Sequence, residues 1–150
     1  MARFQMIRST RGWGVHVGVL DTQRKKVLEL VTPDLETVKI QEIHVDDFGE
    51  HQHDEPANAV DDDDTILARW QSVMREYKEA VRKNESWRYD AGGAYHKGQF
   101  NCENLAEWVM TGIPDAPMGK WAGWLKDWLG IDIARSQSGR PGTSGNSWSS

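Results

Sequence analysis

Apolar residues alternate with small or polar ones along the first third of the chain and recur at helical spacing further on, so strands are expected first and helices after them. Residues 4–8 read as a short strand, followed by the turn Ser9-Thr10-Arg11-Gly12. Over residues 13–20, Trp13, Val15, Val17 and Val19 share one face while Gly14, His16 and Gly18 share the other, the two-residue period of a half-buried strand. A polar loop at residues 21–24 leads into a strand over residues 25–31, which stops before Pro33. If Leu20 pairs with Lys25, antiparallel register sets His16 opposite Glu29 on one face. On the other it sets Val15 opposite Leu30 and Val17 opposite Leu28. A one-residue slip would destroy both alignments. Residues 37–45 predict a further strand, with Val38 and Ile40 in one phase and Ile43 and Val45 in the other, so a bulge is expected near Gln41 or Glu42.

Residues 46–64 are acidic and loop-like, and their aspartate run favours the start of a helix from about 65 to 83. Ile66, Leu67, Trp70, Val73, Met74, Tyr77 and Val81 form its apolar stripe. Residues 86–99, with Gly92, Gly93 and Gly98, read as irregular apart from a short strand at 87–89. Leu105, Trp108 and Val109 follow Cys102 at helical spacing, with Asn101 as a cap and Gly112 and Pro114 closing the segment. Residues 117–129 give a second amphipathic pattern through Trp121, Trp124, Leu125, Trp128 and Leu129. From Arg135 the Ser/Gly-rich tail has little to bury. The expected architecture is one α+β domain over residues 1–134, a small antiparallel sheet packed against helices, followed by a disordered tail over residues 135–150.

Composition narrows the chemistry. A chain of 150 residues can bury one core, and its single cysteine cannot form an internal bridge. The first residues lack the apolar run of a signal peptide, and no stretch is long enough to span a bilayer, so a cytoplasmic protein is expected. A formal charge of −5 with aspartates at all of positions 61–64, and no basic stripe, argues against nucleic acid as a partner.

That leaves the cysteine. At the first turn of a helix the orphaned N–H groups and the positive end of the macrodipole stabilise a thiolate, which makes Cys102 the candidate nucleophile. A thiol nucleophile needs a base, and His16 stands among glycines on the face opposite the apolar stripe of its strand, where the Cys102 helix is expected to approach. Glu29 is placed to orient the imidazole and stabilise its charged form, the third role in a triad.

The same residues carry a resemblance. Asn101-Cys102-Glu103 and His16-Val17-Gly18-Val19-Leu20 resemble the Asn-Cys-Glu-His-Phe and His-Tyr-Gly-Ile-Tyr motifs of the lecithin:retinol acyltransferase-like family, permuted relatives of NlpC and papain-like thiol enzymes in which the base precedes the cysteine. Val45-Asp46-Asp47-Phe48-Gly49 is similar to a further family segment, and the likeness runs from about Trp13 to Gly112. Two departures stand out. Glu29 falls where the family has a second histidine, and Asn104 where it has the histidine after the glutamate. The resemblance implies a permuted papain-like fold without cofactor or metal. It implies attack by Cys102 on an acyl carbonyl and a thioester resolved by water, an amine or an alcohol. The Cys102 N–H would serve as an oxyanion donor, with Gln99 and Asn101 as guesses for a second.

Other readings stay open. The substrate can be an acyl-bearing small molecule, a lipid or a peptide, and the enzyme an acyltransferase, a hydrolase or an NlpC-type amidase or peptidase. A binding module that keeps the fold without catalysis is the alternative of another class. His44 is a rival base, and His51, His53 and Asp54 resemble metal ligands in a strongly polar loop. Trp121, Trp124 and Trp128 can meet a protein partner or a membrane surface, or pack on the domain itself.

Overall fold

The computed structural model describes residues 2–10, 16–89 and 99–114. The expected helix at residues 117–129 with Trp121, Trp124 and Trp128, the tail at 135–150, and the start of the strand at 13–15 lie outside the described residues.

Five antiparallel strands form the main sheet, with α-helices beside it, an α+β architecture. In chain order these strands are β1 (Phe4–Ser9), β2 (Val17–Asp21), β3 (Lys26–Val31), β4 (Lys39–His44) and β5 (His51–His53), arranged β4-β3-β2-β1-β5. Consecutive hairpins join β1 to β4. The short helix α1 (Val45–Phe48) follows, and β5 crosses to the far edge and pairs with β1. β5 and all of α1 but Val45 fall inside the segment expected to be loop. A 20-residue helix, α2 (Asp63–Arg82), comes next, then the short parallel pair β6 (Arg88–Tyr89) and β7 (Gln99–Phe100), then α3 (Cys102–Thr111).

Alternation along the strands divides the sheet into two apolar faces. Phe4, Met6, Val17, Val19, Leu28, Leu30, Val38 and Ile40 pack with Ile66, Trp70 and Val73 of α2 and with Leu105, Trp108 and Val109 of α3. Ile7, Leu20 and Val27 form a smaller cluster on the other face with Phe48 of α1, joined by Ile43 and Val45. That second cluster explains the change of phase along β4. The β3–β4 register runs unbroken from Lys26↔His44 to Val31↔Lys39, so the bulge expected near Gln41 is absent. Val38 and Ile40 serve one face and Ile43 the other because the sheet is covered on both sides.

The β2–β3 register also differs from expectation. Leu20 pairs with Val27 and Gly18 faces Glu29, a two-residue slip from the Leu20–Lys25 alignment. The reason lies in Asp21, which stays in β2 opposite Lys26 and accepts from the N–H groups of Gln23 and Arg24 at 3.0 and 3.3 Å. These bonds start the turn two residues further on, and Lys25 completes it at φ 58°. Side-chain period in a strand is two, so this slip keeps every face as expected: His16 and Glu29 lie on one side, diagonal rather than directly opposite.

α3 packs on β2 and β3 through the Val17 and Val19 face. The expected approach on the His16 and glycine face is therefore corrected. The apolar stripe of α3 must be buried on apolar strand positions, so the helix body goes to that side and only its first turn reaches the end of the strand beside His16.

Candidate active site

Cys102 is the first residue of α3, and the residues around it fix where that helix begins. Asn101 adopts an extended conformation and forms a capping box with Asn104. The Asn104 N–H donates to Asn101 Oδ1 at 2.9 Å, and the Asn101 N–H donates to Asn104 Oδ1 at 3.0 Å. Asn104 Nδ2 also donates to the Pro114 carbonyl at 2.7 Å, so one side chain ties the start of α3 to the segment beyond its end. Gly112 closes the helix in the left-handed conformation at φ 80°. The thiol is buried, 5 % exposed, at the end of the helix where the dipole favours negative charge.

His16 enters from the strand side. Its carbonyl accepts from the Ser9 N–H at 2.8 Å, which anchors its backbone to β1. Its Nε2 lies 2.6 Å from Glu29 Oε1, and its side chain is hydrogen-bonded to Cys102. With Nε2 taken by the carboxylate, Nδ1 is the ring nitrogen left for the sulfur. The imidazole stacks on Phe48, centroids 5.2 Å apart and planes inclined by 19°. Gly18 makes that stacking possible. A Cβ there would stand 2.7 Å from Val27 Cγ1, 3.1 Å from the Leu28 carbonyl and 3.3 Å from Phe48 Cε1.

Charge follows this geometry. Burial works against the imidazolium, but the hydrogen bonds to Cys102 and Glu29 and the negative charge of both outweigh it, and the His16 pKa is raised from 6.5 to about 9. Burial likewise works against the Glu29 carboxylate. Hydrogen bonds from His16 and Gln41, with the charge of His16, prevail and lower its pKa. Gln41 Nε2 donates to Glu29 Oε2 at 2.6 Å from the directly opposite position on β4. The sequence pointed to Cys102, His16 and Glu29, and all three meet. Gln41 and Phe48 complete their surroundings. Gln41 was legible only through an unbroken β3–β4 register, which the expected bulge hid.

Two further acids lie on successive turns of α3, the first of them next to Cys102 in the chain. Glu103 is 3 % exposed and its Oε2 has no hydrogen-bond partner among the described residues. Burial above all, then the charges of Cys102, Glu107 and Asp54, push its pKa up to about 9 against the opposing pull of Arg8. Glu107 accepts from the Ala57 N–H through both oxygens at 3.0 Å, and burial still raises it to about 7.

Among the described residues the three other histidines are engaged elsewhere. His44 caps α1 by accepting from the Asp46 N–H at 3.1 Å. His51 Nδ1 bonds the Gly49 carbonyl at 2.8 Å, His53 Nε2 meets Glu55 at 3.0 Å, and Asp54 pairs with Arg8 at 3.1 Å. Among the described residues no group of three His, Cys, Asp or Glu side chains is arranged to hold a metal ion. No described helix is long and apolar enough to cross a membrane. Asn101 is committed through Oδ1 to the capping box, and the side chain of Gln99 lies outside the description.

No family model, curated protein or solved structure matches this chain.

Proposed function

We propose that this chain is a cysteine-dependent acyl-transfer enzyme, an acyltransferase or hydrolase in a permuted papain-like arrangement. One observation carries the reading: a hydrogen-bonded series from Cys102 through His16 to Glu29, with the sulfur at a capped helix N-terminus. An imidazole raised to about 9 holds its proton at neutral pH, the state that stabilises a neighbouring thiolate.

In the first half-reaction the Cys102 sulfur attacks an acyl carbonyl carbon. The leaving oxygen or nitrogen departs with the proton held on His16, and a thioester remains. In the second, water, an amine or an alcohol gives its proton to His16 and attacks the thioester, and the thiolate returns. The Cys102 backbone N–H would donate to the oxyanion, an interaction typically worth about 3 kcal/mol in the transition state. Glu29 keeps the imidazole aimed and balances its charge.

The test is chemical. Iodoacetamide should alkylate wild-type Cys102 at pH 6 well above the rate of a model thiol, and a panel of acyl esters and peptide amides should leave a thioester detectable by mass spectrometry. Cys102→Ala should remove turnover, and His16→Ala should lower it by about three orders of magnitude. Ester selectivity would mark a transferase or esterase acting on small acyl groups or lipids, and amide selectivity an NlpC-like amidase. Full turnover in Cys102→Ala would end the proposal, and ordinary thiol reactivity at pH 6 would favour a binding module.

A further inference from the structure

Resting on the acyl-transfer reading above, we infer that Gln41 is a fourth member of the site, a positioning residue that holds the Glu29 carboxylate on His16. The geometry is specific. Glu29 lies between two donors, His16 on Oε1 and Gln41 on Oε2, each at 2.6 Å. Gln41 and Glu29 are direct cross-strand partners, so the backbone ladder delivers the amide to the carboxylate. His16 is not such a partner. It reaches Glu29 diagonally from just before the start of β2, the position facing Glu29 there being Gly18.

A carboxylate bonded only to His16 would be free to rotate about its own side-chain bonds. The amide on the second oxygen removes that freedom. An amide is also the appropriate chemistry, because it donates to a carboxylate without adding a charge that competes with the imidazolium.

Among the described residues the charged groups around the pair are few. Beyond His16 stands Cys102 from α3. On β4, Lys39 lies two residues from Gln41 on the same face and is exposed. α1 brings the Phe48 ring to His16, while its acids Asp46 and Asp47 are exposed.

The experiment measures the rate of Cys102 alkylation against pH and the NMR titration of the His16 ring in wild type, Gln41→Met and Gln41→Glu, with thermal melting alongside. Gln41→Met keeps length and removes the donor. It should melt near wild type, lower the His16 midpoint and slow alkylation at neutral pH roughly tenfold, the scale of one charge-assisted hydrogen bond. Gln41→Glu keeps shape and makes donation depend on a proton. Its alkylation rate relative to wild type should be high in acid, where the introduced carboxyl is protonated and donates to Glu29. The ratio should fall as pH rises and the two carboxylates repel.

A purely structural glutamine would be replaced equally well at every pH. Unchanged alkylation and an unchanged or raised His16 midpoint in Gln41→Met overturn the inference while leaving the triad standing. A wild-type His16 that titrates like a free histidine, together with an unreactive Cys102, overturns both.

Discussion

Glu29 and Glu103 are both buried glutamates beside the same thiol, at 5 % and 3 % exposure, and their acidities move in opposite directions. Glu29 is held by two donors, one of them a histidine that gains charge in return, so its carboxylate stays ionised in spite of burial. Glu103 has acids for neighbours and an oxygen without a partner among the described residues, so burial prevails and it keeps its proton. Burial alone does not decide the state of a carboxyl group; the count of donors does. Cys102 thus has a charged, paired group on one element and a neutral acid on its own helix for neighbours. The first is suited to moving a proton, while the second adds no negative charge beside the sulfur as long as it remains protonated.

The paired group should be the more sensitive to loss of charge. Glu29→Gln preserves shape and removes the negative charge from His16, and it should slow Cys102 alkylation and any turnover by roughly a hundredfold. The His16 midpoint should move down toward 6.5, its ordinary value. NMR titration and iodoacetamide kinetics on the same sample check this. An unshifted midpoint would mean that Glu29 is only a strand residue at the site's edge.

Packing supplies the next largest effect. Gly18→Ala would drive a methyl group to within 2.7 Å of Val27 Cγ1 and against the Phe48 ring. Overpacking of this kind costs about 1–3 kcal/mol. Denaturant unfolding should show that loss, and because Phe48 must shift off His16, alkylation should slow as well. A Gly18→Ala protein with wild-type stability would show that the β2–β3 and α1 contact is looser than the distances imply.

This comparison also shows what could be seen in advance. His16 and Glu29 were predicted to share a face, and the two-residue slip set by the Asp21 turn left that sharing intact, since strand faces depend on parity rather than exact register. The approach of α3 was misjudged because the sequence shows the polar face of β2 but not which end of a helix meets it. α1 and β5 were hidden by polarity. Their residues are mostly exposed, so they leave little apolar pattern, and pairing with an edge strand is decided by tertiary position. The ionisation of Glu103 could not be read either. A Glu after a Cys at a helix start is ordinarily a favourable first-turn acid, and only the fold reveals that it is enclosed with Glu107 and Asp54.

The neutral acids give a pH dependence with a definite sign. Glu103 and Glu107 hold protons in the folded chain up to about 9 and about 7, whereas unfolded glutamates release theirs near 4.5. Raised acids of this kind contribute stability that is complete below 4.5 and is lost as pH rises through the folded values. His16, raised from 6.5 to about 9, contributes in the same direction, with its share complete below 6.5. Glu29 and Asp21 are lowered, Asp21 to about 2 by its bonds from Arg3 and Arg24, so their contribution is present at neutral pH and is lost only in acid. The melting temperature should therefore decline from mildly acidic conditions toward pH 9.

Glu103→Gln separates the contributions. It copies the protonated state that the folded chain holds at neutral pH, so it should leave the alkylation profile of Cys102 nearly unchanged. Its effect on stability should begin above 4.5, where the unfolded glutamate ionises, and grow toward pH 9 as a flatter decline in melting temperature. His16→Ala should flatten the decline only above 6.5 and also slow Cys102 alkylation, so the two variants together distinguish the acid's proton from the base's. An alkylation profile in Glu103→Gln that shifts as much as in Glu29→Gln would erase the distinction between the two neighbours of Cys102.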